Sequence, residues 1–144
     1  MKRPHLLLLC LSLTACISEL EPDVGPVIAG QCKNQDTDPE VEVSFKDEVL
    51  PMLQMRCGCH DPKGSGSAID STAFAVGSRR EVLRGGNKSS DKIVVAGDAC
   101  ASVLVQKCSE APPFGSRMPI GGPYYTSEEM GLLRDWIVEG AHDN

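Results

Sequence analysis

The sequence predicts a small all-α domain at residues 44–144, built from about four short helices joined by long loops. Apolar residues recur at helical spacing in several segments, and capping residues precede three of the predicted helices. Stretches with the composition of β-strands are too few to form a sheet. Most of the 10 prolines and 14 glycines fall between the helical segments, where they are expected to form loops.

The first helix is predicted to begin at Ser44, which together with Asp47 resembles a capping box. Pro51 lies inside this helix, where it removes one hydrogen bond and is expected to cause a kink. The residues that share the apolar face of the helix are Phe45, Val49, Met52 and Leu53.

The next two helices are shorter. One is predicted at residues 78–84, with Ser78 as its cap and Gly85 after its last residue. An extended stretch at residues 93–95 separates it from a third helix, predicted from residue 98 or 99 to residue 107.

The last helix is predicted to begin at Thr126, which forms a capping box with Glu129, and to end at Gly140. A loop rich in proline and glycine, residues 111–125, precedes it. Its apolar face consists of Met130, Leu133, Trp136 and Ile137.

Residues 1–15 have the order of a secretory signal peptide, with basic Lys2 and Arg3 before the apolar run 6–13. This run is too short to span a membrane, which takes about 20 residues. Leu-Thr-Ala-Cys16 resembles the lipobox of bacterial lipoproteins, which implies a lipid on Cys16 and an exported protein, anchored at the outer membrane or facing the periplasm. The alternative is an ordinary signal peptide with a chance cysteine at its cleavage site.

The charge of the chain excludes one class of partner. Fourteen basic and 20 acidic residues give a net charge of −6, and loss of Lys2 and Arg3 with the signal makes it about −8. A chain this acidic repels nucleic acid, so we expect no nucleic-acid partner. Acidic residues, proline and glycine also dominate residues 16–43, which we expect to be a lipidated N-terminus and a disordered linker.

If Cys16 carries a lipid, the remaining cysteines of the mature chain cannot all form disulfides within one chain. Lipidation of Cys16 leaves five cysteines in the mature chain, so at least one is free, bound to another group or paired between chains. Cys32, Cys100 and Cys108 are the disulfide candidates. In one regular helix Cys100 and Cys108 would be about 12 Å apart, too far to pair. We expect both to be oxidised, at least one of them with a partner elsewhere in the chain, for which Cys32 is a candidate.

The segment Cys57-Gly-Cys59-His60 is close to the CxxCH motif that attaches haem covalently. In that motif two thiols flank the porphyrin edge and the histidine reaches the iron. A methionine thioether is often the second iron ligand. Met118, in an Arg-Met-Pro setting 58 positions after His60, is the candidate for this ligand.

Five segments, in order, resemble those of a small class I cytochrome c domain of the type found in exported planctomycete and myxobacterial proteins. They are Phe45–Pro51, Cys59-His60, residues 95–104, Gly115–Pro119 and Trp136–Ala141. The resemblance implies a cytochrome c-like fold and haem c as the cofactor. Cys57, Cys59, His60 and Met118 would be its binding residues, with His60 and Met118 as the axial ligands.

One departure from the family affects the haem motif. Arg56 occupies the position of the family's first cysteine, and only one residue separates Cys57 from Cys59. On a regular helix these two side chains would point about 160° apart. Three possibilities follow: a distorted turn allows two thioethers, Cys59 alone attaches, or haem is lost and both cysteines are available for disulfides.

The expected function is one-electron transfer by a c-type haem, with a redox protein as a possible partner. We expect no enzyme, because no acid–base pair, nucleophile–base pair or phosphate-binding glycine loop is present. The first alternative is a haem-free, disulfide-stapled module that acts as a binding or structural lipoprotein. The second is a copper or zinc site formed by Cys57, Cys59, His60 and Met118.

Overall fold

A computed structural model describes residues 32–144, and within this range the all-α prediction is confirmed. This part of the chain contains five short α-helices and no β-strand. They are α1 (Leu50–Arg56), α2 (Ile69–Thr72), α3 (Arg79–Arg84), α4 (Val103–Cys108) and α5 (Ser127–Val138). A π-helical turn, Phe45–Val49, precedes α1, and 3-10 turns lie at Gly58–His60 and Ser90–Lys92. The predicted signal peptide and Cys16 lie outside the described residues.

The opening helical segment begins as predicted. Ser44 accepts a hydrogen bond from the backbone N–H of Asp47 at 3.1 Å. Pro51 was predicted inside the helix, but it lies in the first turn of α1, directly after the π-helical turn ends. Pro51 has no N–H for the helical ladder, so this position tolerates a change in the hydrogen-bond pattern. The predicted apolar face is buried at all four positions: Phe45, Val49, Met52 and Leu53.

The last helix, α5, has the predicted capping box, in which Thr126 and Glu129 bond to each other's backbone N–H groups. Leu133, Trp136 and Ile137 of its predicted face are buried. The ring of Trp136 packs against Phe45 with centroids 5.1 Å apart. This contact joins the first and last helical segments in the hydrophobic core.

The middle of the chain departs from the prediction in two places. The single-turn helix α2 was not predicted. Helix α4 begins at Val103, because the residues before it form turns. In those turns the Asp98 carboxylate accepts from the backbone N–H of Ala101, and the Ser102 hydroxyl donates to the Asp98 carbonyl. Such side-chain bonds compete with the helical ladder.

Residues 32–43, expected to belong to a disordered linker, lie against the helices. Cys32 and Cys100 form a disulfide with Cα atoms 5.4 Å apart. The Thr37 backbone N–H and hydroxyl donate to the two oxygens of Asp135 in α5. The compact unit accordingly spans Cys32–Asn144. Within it, no helix has the length and apolar character needed to cross a membrane.

The Cys32–Cys100 bridge should contribute strongly to stability, because it closes a loop with a sequence separation of 68. We expect Cys100→Ser to lower the free energy of unfolding by about 2–5 kcal/mol. Urea denaturation of the oxidised protein measures this change. Ala101→Ser, at the exposed neighbouring position, is the control and should change stability little. Equal stability of Cys100→Ser and the control would contradict the prediction.

Candidate functional site

A cavity of about 920 Å³ lies between the end of α1, helix α4 and the loop that follows α4. Pockets for small organic ligands and cofactors typically measure about 300–1,000 Å³. The four residues predicted to bind a cofactor all line this cavity: Cys57, Cys59, His60 and Met118. The fold therefore brings together, in a space large enough for an organic cofactor, residues that lie far apart in the sequence.

The imidazole of His60 is held by the chain segment that follows α2. Its Nδ1 atom lies 3.2 Å from the carbonyl oxygen of Phe74 and 3.4 Å from the hydroxyl of Thr72. The backbone N–H of Val76 donates to the His60 carbonyl at 2.8 Å. Histidines that bind metals commonly donate one ring N–H to a carbonyl, which fixes the tautomer and the ring orientation. Nδ1 has this role here, so Nε2 is the atom left to bind a metal.

The protonation state of His60 also suits a ligand. Burial lowers the pKa of its imidazole below the ordinary value, although the contact with the Phe74 carbonyl acts in the opposite direction. The ring is therefore neutral at neutral pH and keeps the lone pair that a metal ligand needs.

The two cysteines of the turn have different surroundings. The Cys57 side chain is buried, and its Sγ lies 3.2 Å from the hydroxyl oxygen of Tyr125. Burial raises the pKa of its thiol, so Cys57 remains protonated at neutral pH. Cys59 is exposed at the cavity. This divergence agrees with the large angle expected for side chains two positions apart, and it leaves Cys59 as the more accessible thiol.

Arg56, which directly precedes Cys57, binds the last helix. Its Nε and Nη2 atoms donate to the two carboxylate oxygens of Glu129 at 2.8 and 2.9 Å. Glu129 is also the third residue of the α5 capping box. A bidentate pair of this kind fixes orientation as well as adding energy. Arg56 therefore joins the end of α1 to the beginning of α5 beside the cavity.

Met118 lies on a loop that is fastened to the end of α4. Its backbone N–H donates to the Lys107 carbonyl at 2.8 Å. The Lys107 ammonium donates to the carbonyls of Phe114 and Ser116 at 2.6 and 2.5 Å. Arg117 donates from Nε to the Cys108 carbonyl at 2.9 Å. These contacts fix the path of the loop that brings Met118 to the cavity.

Two residues near the cavity had no predicted role there. Cys108, considered only as a disulfide candidate, is a buried thiol that lines the cavity. Tyr125, which the sequence did not single out, is buried with its hydroxyl beside Cys57. Burial raises the pKa of the Cys108 thiol to about 12. No motif relates these residues to the Cys57–His60 turn, so only the three-dimensional fold reveals their proximity.

A copper or zinc site needs its ligands to converge on one ion. Among residues 32–144, no group of three or more His, Cys, Asp or Glu side chains is arranged to hold a metal ion. Cys57 and Cys59 also have separate surroundings.

The anchoring role of Lys107 can be tested by substitution. Lys107→Met keeps much of the aliphatic chain but removes both donations to the loop carbonyls. We expect the free energy of unfolding to fall by about 1–2 kcal/mol. Urea denaturation is the measurement, and Lys92→Met, at an exposed lysine, is the matched control. A loss no larger than that of the control would show that these hydrogen bonds do not hold the loop.

Comparison with known proteins gives no match to a family model, to a curated protein or to a solved structure. The resemblance to class I cytochrome c thus depends on the five sequence segments, and the use of the cavity must be inferred from the residues that line it.

Proposed function

We propose that this chain is an exported lipoprotein that transfers single electrons through a c-type haem. Cys59 attaches the haem by one thioether bond, and His60 and Met118 are the axial ligands. The observation that carries the proposal is that one cavity of about 920 Å³ contains all three residues. We further propose a cytochrome c-like fold, on the basis of the five segments that resemble that family.

The residues fit this cofactor in their chemistry. A neutral imidazole whose Nδ1 faces a backbone carbonyl is the usual form of an iron-binding histidine. A methionine thioether is a common second ligand to haem iron. Apolar side chains add to the wall of the cavity, as a porphyrin requires: Ile93, Val103, Leu104 and Phe114.

The protein's part in this function is to bind and orient. Haem, when bound, supplies iron that alternates between the ferrous and ferric states. Phe74 and Thr72 fix the plane of the His60 ring, and Lys107 restrains the loop that carries Met118. The apolar wall lowers the local dielectric constant and limits access of water, which tunes the reduction potential.

A single thioether to Cys59 follows from the difference between the two cysteines. Cys59 is exposed at the cavity, whereas Cys57 is buried beside Tyr125. A bond from Cys57 to the same porphyrin edge would require its side chain to leave this buried position. Attachment through Cys59 requires no such rearrangement.

A second candidate is a haem-free module that is stapled by disulfides and binds another molecule in the cavity. The observation that favours it is the replacement of the family's first cysteine by Arg56, whose charge is engaged by Glu129. The Cys32–Cys100 bridge stabilises the small core in either case.

Substitution of Cys57 and of Cys59, one at a time, gives the sharpest test of haem attachment. We expect protein from a host that matures c-type cytochromes to keep its haem through denaturation and acid–acetone extraction. Cys59→Ser should release the haem under these conditions. Cys57→Ser, a matched change two positions away, should keep it and leave the pyridine haemochrome spectrum in its single-thioether form.

The axial ligands are tested in the same preparation. Met118→Ala should disturb the low-spin spectrum without releasing haem, and His60→Ala should prevent stable incorporation.

A shift of the haemochrome spectrum in Cys57→Ser would mean that two thioethers form. A colourless wild-type protein would remove the electron-transfer proposal in favour of the haem-free module.

Lipidation is tested separately. Cys16→Ser should abolish labelling with a radioactive fatty acid and release the protein to the soluble fraction, because the lipid on this cysteine is the proposed anchor. Ser18→Ala serves as the control and should remain membrane-bound. Undiminished membrane association of Cys16→Ser would refute the lipoprotein assignment.

A further inference from the structure

We propose that Cys57 and Cys108 form a second disulfide in the exported protein, which joins the end of α1 to the end of α4 at the cavity. The inference rests on the export part of the proposed function, and it holds whether or not haem is bound. It gives a role to two buried thiols that a single thioether to Cys59 leaves unused.

The geometry places both thiols around one hydroxyl group. Cys57 Sγ is 3.2 Å from the hydroxyl oxygen of Tyr125, and Cys108, which lines the same cavity, is close enough to that hydroxyl to raise its pKa. Both cysteines are buried members of the hydrophobic core and both line the cavity. A disulfide between them would require both side chains to rotate, with backbone adjustment, until the two sulfur atoms reach disulfide geometry.

The elements that carry the two cysteines are already held near each other. Cys57 directly follows α1, and Cys108 is the last residue of α4. Arg117 donates to the Cys108 carbonyl, and Tyr125 lies between the two thiols on the chain that leads into α5. Rigid placement of both thiols lowers the conformational cost of forming the bond.

The count of cysteines supports this pairing independently of the geometry. Five cysteines remain after the proposed lipidation of Cys16, and the Cys32–Cys100 bridge uses two. A bond between Cys57 and Cys108 uses two more. The remaining cysteine is Cys59, the exposed one, which is the thiol proposed to attach haem.

Formation of the bond is an oxidation by thiol–disulfide exchange. The oxidant is a disulfide-bearing thiol oxidase of the exported compartment. One thiolate of the pair attacks its disulfide to give a mixed disulfide, and the second thiolate then displaces the oxidase. The S–S bond of the oxidase breaks, the Cys57–Cys108 bond forms, and the two electrons and two protons of the thiols pass to the oxidase as its dithiol.

Peptide mapping of exported wild-type protein tests the inference directly. Free thiols are alkylated in acid denaturant, and the protein is digested without reduction and analysed by mass spectrometry. We expect one peptide pair linked through Cys57 and Cys108, and another linked through Cys32 and Cys100. Alkylated Cys57 and Cys108 in a sample whose Cys32–Cys100 bridge is intact would overturn the proposal, and so would a thioether on Cys57.

A mutant cycle gives a second measurement that does not depend on mapping. Cys57→Ala and Cys108→Ala should each lower the thermal midpoint by about 10 °C or more, and the double variant should fall no further than the larger single change. Cys100→Ala breaks the other bridge, so its effect should add to either change. Additive effects of Cys57→Ala and Cys108→Ala would show that the thiols are independent.

Failure of the disulfide proposal can be distinguished from failure of the haem proposal. A colourless protein with the Cys57–Cys108 link would refute electron transfer and retain the disulfide. A protein with covalent haem and two alkylated thiols at Cys57 and Cys108 would refute the disulfide and retain electron transfer.

Discussion

The position of the opening helical segment, which comprises the π-helical turn and α1, against α5 is the constraint on which the cavity depends. Phe45 packs on Trp136 at one end of this contact, and Arg56 binds Glu129 at the other. With both ends held, the chain leaves α1 in a defined direction, and the turn that follows places His60 at the cavity. Aromatic packing of the π-helical turn in the core and a bidentate ion pair at the end of α1 thus act together on one short helical segment.

Helix caps and apolar helix faces could be predicted from the sequence, because they depend on residues that are close together in the chain. The caps at Ser78 and Thr126 and the two buried helix faces, one with Phe45 and the other with Trp136, were all predicted, because they depend on residues three or four positions apart. The beginning of α4 was placed too early, because side-chain bonds around Asp98 form turns where apolar spacing indicates a helix. Residues 32–43 have the composition of a linker, and only their long-range contacts, such as Thr37 with Asp135, hold them in place.

The difference between short-range and long-range contacts also decides which residues of the cavity could be predicted. Cys59, His60 and Met118 could be selected from the sequence because they resemble the pieces of a known motif, and all three line one cavity. Cys108 and Tyr125 could not be selected, since their proximity to Cys57 depends on how α4 and the loop before α5 pack. Periodicity gives the face of a helix but not its distant neighbours, so a contact between residues 57 and 125 has no signature in a single sequence.

The pairing of Arg56 with Glu129 has a consequence for how this protein can evolve. Mutation of Arg56 to cysteine would create the CxxCH spacing with Cys59 and His60 in one step. It would also leave the Glu129 carboxylate without its cation beside the cap of α5. The gain of a CxxCH motif is therefore coupled to the loss of the contact between α1 and α5, and a chain that acquires this cysteine needs a compensating change elsewhere to keep that contact.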